Sequence, residues 1–379
     1  MAKTRLYTPG PTPVPEQVML AMAKPMEHHR TKDYRDMLAR TTEGLQYVLQ
    51  TKNDVLTFTS SGTGAMEGAI VCCASEGKKA LVARGGKFGE RWGQVCQAYG
   101  IPYIAIDVEW GKAVEPAIIE EQLKNNPDIG IVIVVHSETS TATASDIEAI
   151  GAIVAKTDAL FLVDAISSAG AMPIKTDEWK IDVVVTGSQK ALMLPPGLAF
   201  ASVSEKAWKV IESNNPKAYY FDYRAYRKSL KKNDAPYTPA LTLVRGLDVA
   251  LSMIKEKGIE NVWAQCAKLA RASRAAFEAM GLKIYSSSPA DAVTAVWLPE
   301  GIDEAELRKI LRNEYGVHLA GGQAELKGKI IRMTHMGYVD EVDTMGALAA
   351  IEAVLLRLGH KFEIGAGLAA AQKILVESR

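Results

Sequence analysis

The sequence predicts an α/β fold with a seven-stranded, mostly parallel sheet, followed by a smaller α+β C-terminal unit. Three observations carry this. Seven short apolar runs, several of them rich in Val and Ile, fall within the first 205 residues. Stretches of helical periodicity lie between most of them, the alternation expected of a parallel sheet covered on both faces. The strand pattern then stops, and the remainder reads as helices with two strand candidates. The chain is thus expected to divide into an N-terminal arm (1–15), a large domain (16–257) and a small domain (258–379).

Taken in order, residues 7–15 contain Pro9, Pro11, Pro13 and Pro15, too dense a set for a helix. They read as an extended arm that turns into a helix near Glu16. After His28-His29-Arg30, an amphipathic helix is expected from Tyr34 to Leu49. Strand candidates follow at Val55–Thr59, Ala80–Ala83, Tyr103–Asp107, Ile129–Val135, Ala159–Asp164, Val183–Thr186 and Leu198–Val203. Helices are expected between them, around Ala65–Ser75, Gly89–Ala98, Glu115–Asn125 and Ser145–Lys156. After Phe200 the connection is too short for a crossover helix before Ser204, so the last strand is expected to run antiparallel.

Beyond residue 205 lies a polar stretch rich in Tyr and Lys, Tyr219 to Tyr237. Thr238-Pro239-Ala240 opens a long helix to about Lys257, and Gly258 marks a hinge or helix end. The small domain is expected to hold helices near Glu260–Met280, Glu304–Tyr315, Asp340–Leu358 and Leu368–Glu377. Its strands are expected at Val293–Trp297 and Ile330–Met333.

Bulk properties narrow the class. The 44 basic and 44 acidic residues balance, which argues against an electrostatic nucleic-acid binder. Cys72, Cys73, Cys96 and Cys266 form no CxxC pair and no Cys/His cluster, so no metal site is expected. So few cysteines suit a reducing compartment. No apolar run approaches membrane-spanning length, so a cytoplasmic enzyme without a membrane partner is expected.

The chemistry is expected at the strand ends, where open α/β sheets bind ligands. Lys190 stands just beyond the apolar run Val183-Val184-Val185, in the turn Gly187-Ser188-Gln189-Lys190. A lysine beside low-dielectric surroundings has a lowered pKa and a nucleophilic amine, as needed to condense with an aldehyde. Taken alone, it also reads as a solvated loop lysine. Asp164 ends the run Ala159–Val163, and the spacing to Lys190 leaves room for two neighbouring strands and their connection. An acid and a lysine at adjacent strand ends suit pyridoxal phosphate: the lysine takes the aldehyde and the carboxylate keeps the pyridine nitrogen protonated. Ser60-Ser61-Gly62-Thr63-Gly64 follows the first strand and opens a helix, so its free N–H groups make an anion site; an ordinary helix cap reads the same way. His136-Ser137-Glu138-Thr139-Ser140-Thr141 gathers polar side chains at a fourth strand end.

These motifs resemble the class V (fold-type I) pyridoxal-phosphate aminotransferases, in the alanine–glyoxylate and serine–pyruvate or serine–glyoxylate branch. The resemblance covers almost the whole chain. It rests on Pro9-Gly10-Pro11-Thr12, Ser61-Gly62-Thr63, His136–Thr141, Val163-Asp164-Ala165, Gly187–Lys190, Thr238-Pro239-Ala240 and Ile331-Arg332. It implies that Lys190 binds the cofactor aldehyde and Asp164 partners the ring nitrogen. Ser61, Gly62, Thr63 and Gln189 would hold the phosphate, and Thr139 would lie near the ring's phenolic oxygen. Phe88 would stack on the ring, where relatives often have Trp, and Ile166 would pack its other face. Thr238 would reach the phosphate of a neighbouring subunit, which implies a homodimer with shared active sites. Arg332 would take the substrate α-carboxylate through a planar two-bond pairing that Lys cannot equal. Relatives often read Arg-Ile-Gly where this chain has Arg332-Met333-Thr334.

The implied reaction moves an amino group from alanine or serine to glyoxylate or pyruvate. Rival readings are an aminoethylphosphonate-type transaminase, a cysteine desulfurase or lyase, and a non-enzymatic subunit of a redox complex. A desulfurase needs a cysteine on a mobile loop, whereas Cys266 falls in a helical run. No roles are assigned to His28, His29 and His335.

Overall fold

The computed structural model describes residues 3–377. The seven apolar runs are strands Asp54–Ser60, Lys79–Arg84, Tyr103–Asp107, Ile129–Val135, Leu160–Asp164, Val183–Gly187 and Gly197–Val203. They join in one sheet in the order 54–60, 197–203, 183–187, 160–164, 129–135, 79–84, 103–107. Strand 197–203 runs antiparallel to both neighbours, and the others share one direction. The cause is local: residues 188–196 contain no helix, and a parallel return needs a crossover.

Side chains alternate between the two faces, as the pleat requires. Phe161, Val163, Val132, Val134 and Val184 enter one core with helices Lys32–Leu49 and Leu241–Lys257. Leu160, Leu162, Ile131, Ile133, Val183 and Val185 enter the other, with helices Gly62–Cys73 and Lys87–Ala98. With both faces buried, the polar residues of these strands collect at their ends. Ser60, Asp164 and Gly187 all lie at carboxyl ends of same-direction strands.

A smaller sheet follows, with strands Val293–Trp297, Ile330–Thr334 and Ala320–Gly321 in that order, all antiparallel. Leu269, Phe277, Leu307, Met333, Leu348 and Ile351 form its core with helices Ile259–Ala279, Glu304–Ile310 and Glu341–Arg357. Residues 311–315, expected to continue the Glu304 helix, form a single wide turn instead.

Besides strand Ala320–Gly321, further features escaped the sequence reading. Arg5–Leu6 is a short strand parallel to Val317–His318, and Tyr7 joins the small-sheet core. The arm then crosses to the large sheet, where the Thr12 N–H donates to Gln189 O (3.1 Å) and Thr12 Oγ1 donates to Lys190 O (2.7 Å). The region after residue 205 also contains helices Glu205–Ser213 and Tyr223–Leu230. Tyr223 and Tyr226 of the second pack on Phe58, with ring centroids 5.3 and 4.4 Å away.

Candidate active site

The Lys190 turn is locked by its own serine. Ser188 Oγ donates to Pro195 O (2.8 Å) and accepts from the Leu198 N–H (3.1 Å), while the Ser188 N–H donates to Leu198 O (2.9 Å). Lys190 is thereby buried, and its Nζ donates to the carbonyl of Pro9 in the arm. Burial lowers the lysine pKa to about 8; Asp164 opposes the shift, and Arg332 and Arg91 add to it.

Asp164 is the last residue of strand 160–164 and pairs in register with Val185 of the neighbouring strand. Its carboxylate accepts from Trp92 Nε1 and from the Ile166 N–H, each at 3.0 Å. Among the described residues it forms no salt bridge. Burial raises its pKa to about 6, although both donors pull the other way. It is a buried acid still lacking a cation in contact.

Beside it, Ser61 caps helix 62–73 without any hydrogen bond from its side chain; the Gly64 N–H donates to Ser61 O (2.9 Å), and the Gly62 and Thr63 N–H groups are left to another acceptor. A Cβ at position 62 would stand 2.6 Å from Ile166 Cδ1, so any larger residue there would push the Ile166 side chain aside. Gln189 Oε1 is buried without a partner among the described residues. A Cβ on Gly187 would touch both Gln189 Oε1 (3.3 Å) and Gly62 N (3.6 Å). Gln189 Oε1 and the Gly62 N–H therefore border one small space, with Ser61 and Thr63 the chain neighbours of Gly62.

Glu138 positions the next wall. Its Oε2 accepts from the Phe88 and Gly89 N–H groups at 3.0 Å, at the N-terminus of helix 87–98. Its Oε1 accepts from the Ser140 N–H (3.1 Å) and hydroxyl (2.6 Å). Burial raises the Glu138 pKa against these donors. Thr139 is buried between these anchors, and its carbonyl accepts from Arg332 Nη1 (2.6 Å). Arg332 also donates through Nε and Nη2 to Gly321 O, at 2.9 and 2.7 Å. Burial lowers the Arg332 pKa to about 10, and Glu138 opposes this.

Sequence reasoning set Lys190 and Asp164 at strand ends and Ser61-Gly62-Thr63 at a helix start, where the structure has them, but missed Arg91 and Trp92 and gave Glu138 no role. The available signal was spacing: residues 88, 91 and 92 share one helix face. Arg91 covers the Phe88 ring at 4.9 Å from its centroid and donates to Thr63 Oγ1 at 3.3 Å. Thr238 is exposed and forms no hydrogen bond among the described residues; two residues on, the Ala240 N–H donates to Thr59 Oγ1 (3.0 Å). His28 and His29 stack on each other in an exposed turn (5.0 Å). His335 is buried, with Nε2 2.9 Å from Thr294 Oγ1.

Pyridoxal phosphate offers an aldehyde, a pyridine nitrogen, a flat ring and a phosphate. A buried amine, an acid without a cation in contact, side chains Phe88 and Ile166, and a neutral helix start with free N–H donors fit those four groups.

The lowered pKa has a direct consequence. In cofactor-free protein, labelling of Lys190 by trace acetic anhydride should reach half its maximum near pH 8, since only the neutral amine reacts. Peptide mass mapping across pH 6–11 measures this; a midpoint near the ordinary lysine value would show that the amine is solvated.

Residues 5–339 match the family described as Aminotransferase class-V. A serine–glyoxylate aminotransferase of Methylorubrum extorquens is 38% identical over 389 residues, covering 99% of this chain and 97% of its own. The small subunit of a soluble hydrogenase from Synechococcus is 42% identical over 380 residues, covering 98% of each. The crystal structure of a ureidoglycine–glyoxylate aminotransferase from Bacillus subtilis superposes with a TM-score of 0.95 at 30% identity, covering 99% of each chain. The match along most of its length, joined to a strand-end lysine and acid, shows that this chain belongs to the class V aminotransferase family.

Proposed function

We propose that the chain is a pyridoxal-phosphate aminotransferase that moves the amino group of alanine or serine to glyoxylate or pyruvate. The observation that carries this is the pairing of buried Lys190 with buried Asp164, which lacks a contacting cation, at the ends of adjacent parallel strands. Two aminotransferases similar to it carry glyoxylate in their names.

Lys190 would hold the cofactor, Asp164 its ring nitrogen, and Ser61, Gly62, Thr63 and Gln189 its phosphate, with Thr139 beside the ring. When bound, the cofactor supplies an electrophilic aldehyde and a ring that accepts electrons. The residues of the chain do the rest. With a pKa near 8, the amine of Lys190 is suited to take a proton from the substrate Cα and to return it. Asp164 keeps a proton on the pyridine nitrogen through a charge-assisted bond. Arg332 meets the α-carboxylate with donors that its two carbonyl partners leave over.

The same reading includes a homodimer in which exposed Thr238 serves the partner's site, and a cytoplasmic location, which four free cysteines suit. No helix among the described residues is long and apolar enough to cross a membrane. It also divides the chain into the arm 1–15 and domains 16–257 and 258–379, of which residues 1, 2, 378 and 379 lie outside the described range. The break falls at Gly258 (φ 85°), between two long helices. A desulfurase reading is not supported: Cys266 is buried, donates to Asp291 O (3.2 Å), and burial pushes its pKa up, away from the thiolate. The name of the hydrogenase-subunit relative favours a second reading, a subunit of a redox complex. Lys190 and Asp164, both in place, argue for chemistry of the chain's own.

Borohydride reduction of the purified protein followed by peptide mapping tests the core of this reading. The pyridoxyl group should appear on Lys190, and Asp164→Asn should keep cofactor but lose about 10²–10⁴ in turnover. A label on another lysine, or none, would remove the proposal and leave the redox-subunit reading.

Truncating one partner of a buried charge pair costs about 2–5 kcal/mol. Arg332→Ala should therefore raise KM for donor and acceptor alike by about 30-fold or more, and Arg332→Lys should recover part. Values of kcat/KM for alanine and serine with glyoxylate decide it; unchanged values would sink the assignment.

A mixing experiment addresses the dimer. Lys190→Ala chains combined with chains damaged at Thr238 should regain activity from one intact site per mixed dimer. Proven subunit exchange without recovery would argue that Thr238 does not act across an interface.

A further inference from the structure

The phosphate cradle has a shortage of positive charge. Ser61, Gly62, Thr63 and Gln189 are all neutral. A phosphate ester carries about −1.5 to −2 near pH 7. A helix N-terminus offers roughly half a positive charge against it. One to one and a half charges are left without an answer at a partly buried position, where leaving a charge unpaired is costly.

Arg91 stands at that position. Its Nη1 donates to Thr63 Oγ1, so the guanidinium touches the cradle itself. Among the described residues it forms no salt bridge, although the chain pairs many of its other surface arginines with carboxylates. One long hydrogen bond leaves most of its five donors for another acceptor. The side chain is not a wandering surface group: its guanidinium lies on the Phe88 ring, one helical turn back on the same face. That helix is fixed at its start by Glu138 and further along by the Trp92–Asp164 bond. Arg332, the other cation whose charge bears on Lys190, is already held by two backbone carbonyls of the Thr139 and Gly321 loops.

We propose that Arg91 is a phosphate-binding residue of the cofactor site, reaching from Thr63 to the phosphate while its guanidinium stays stacked on Phe88. It supplies the charge that the neutral cradle lacks. The same cation, beside the cradle, also helps to keep Asp164 ionised and the Lys190 amine neutral. This inference rests on the pyridoxal-phosphate reading above.

The test separates phosphate from ring. Equilibrium dissociation constants of pyridoxal phosphate and of pyridoxal, which lacks the phosphate, are measured by absorbance for wild type, Arg91→Met and Arg91→Lys. Hydrogen bonds to charged groups are worth enough to change affinity about 10–100-fold. Arg91→Met should lose that factor for pyridoxal phosphate and leave pyridoxal within a few-fold of wild type. Arg91→Lys should retain most of the phosphate-dependent affinity. Undiminished pyridoxal uptake also shows that the variant site is folded. Equal losses for both ligands, or no loss for either, would overturn the role of Arg91 while leaving the cofactor assignment intact. If wild type binds neither ligand, the cofactor reading itself falls, and this inference with it.

Discussion

Burial of charge without direct pairing is the constraint on which this site depends. Lys190 and Asp164 sit at the ends of strands whose both faces are covered, so neither side chain reaches bulk water. The two do not form a salt bridge among the described residues; each is satisfied by neutral partners, the Pro9 carbonyl for one and the Trp92 and Ile166 N–H groups for the other. Desolvation pushes both toward their uncharged forms, the lysine down and the acid up. A direct contact would have fixed both charges and left the amine a poor nucleophile. Neutral partners hold the geometry and leave the electrostatic cost unmet, available to a ligand with an aldehyde and a basic ring nitrogen.

Much of this was legible in the sequence, because strands buried on both faces leave a simple record. Val183–Val185 and Leu160–Val163 are continuous apolar runs, and the first polar residues after them are almost forced to the sheet rim. Ser61-Gly62-Thr63 was found by the same logic at a helix start. The missed residues depend on which surfaces meet, which no local pattern records. Trp92 reads as one more apolar residue of an amphipathic helix until that helix is laid beside strand 160–164. Glu138 reads as a polar loop residue until the loop folds under the N–H groups of Phe88 and Gly89. The strand Arg5–Leu6 is too short to show alternation, and helix Tyr223–Leu230 hides its core face in tyrosines rather than aliphatic residues.

Glu138 links parts of the site that the sequence keeps far apart. It is an anion placed at a helix N-terminus, where the dipole favours it. Through Phe88 and Ser140 it fixes both the aromatic wall and the loop carrying Thr139. Its charge acts on Arg332 in one direction and on Asp164 in the other, stabilising the cation and raising the acid. One buried carboxylate thus holds the walls and sets part of the field at both ends of the site.

Two of the links between the small sheet and the large one end on residues of the site. The first is the arm: Tyr7 is bonded to the small sheet through the Thr334 N–H and Asp343 O, and five residues later Thr12 holds the carbonyls of Gln189 and Lys190. The second is Arg332, rooted in the small sheet and bonded to the Thr139 carbonyl. A shift of the small sheet therefore cannot leave the lysine turn and the Thr139 loop both undisturbed. A ligand carboxylate would take the N–H donors that Thr139 O and Gly321 O leave over, so the guanidinium would link it to both carbonyls. On the proposed reading, recognition of the substrate end and placement of the Thr139 loop would both fall to this one buried guanidinium, which already makes three hydrogen bonds.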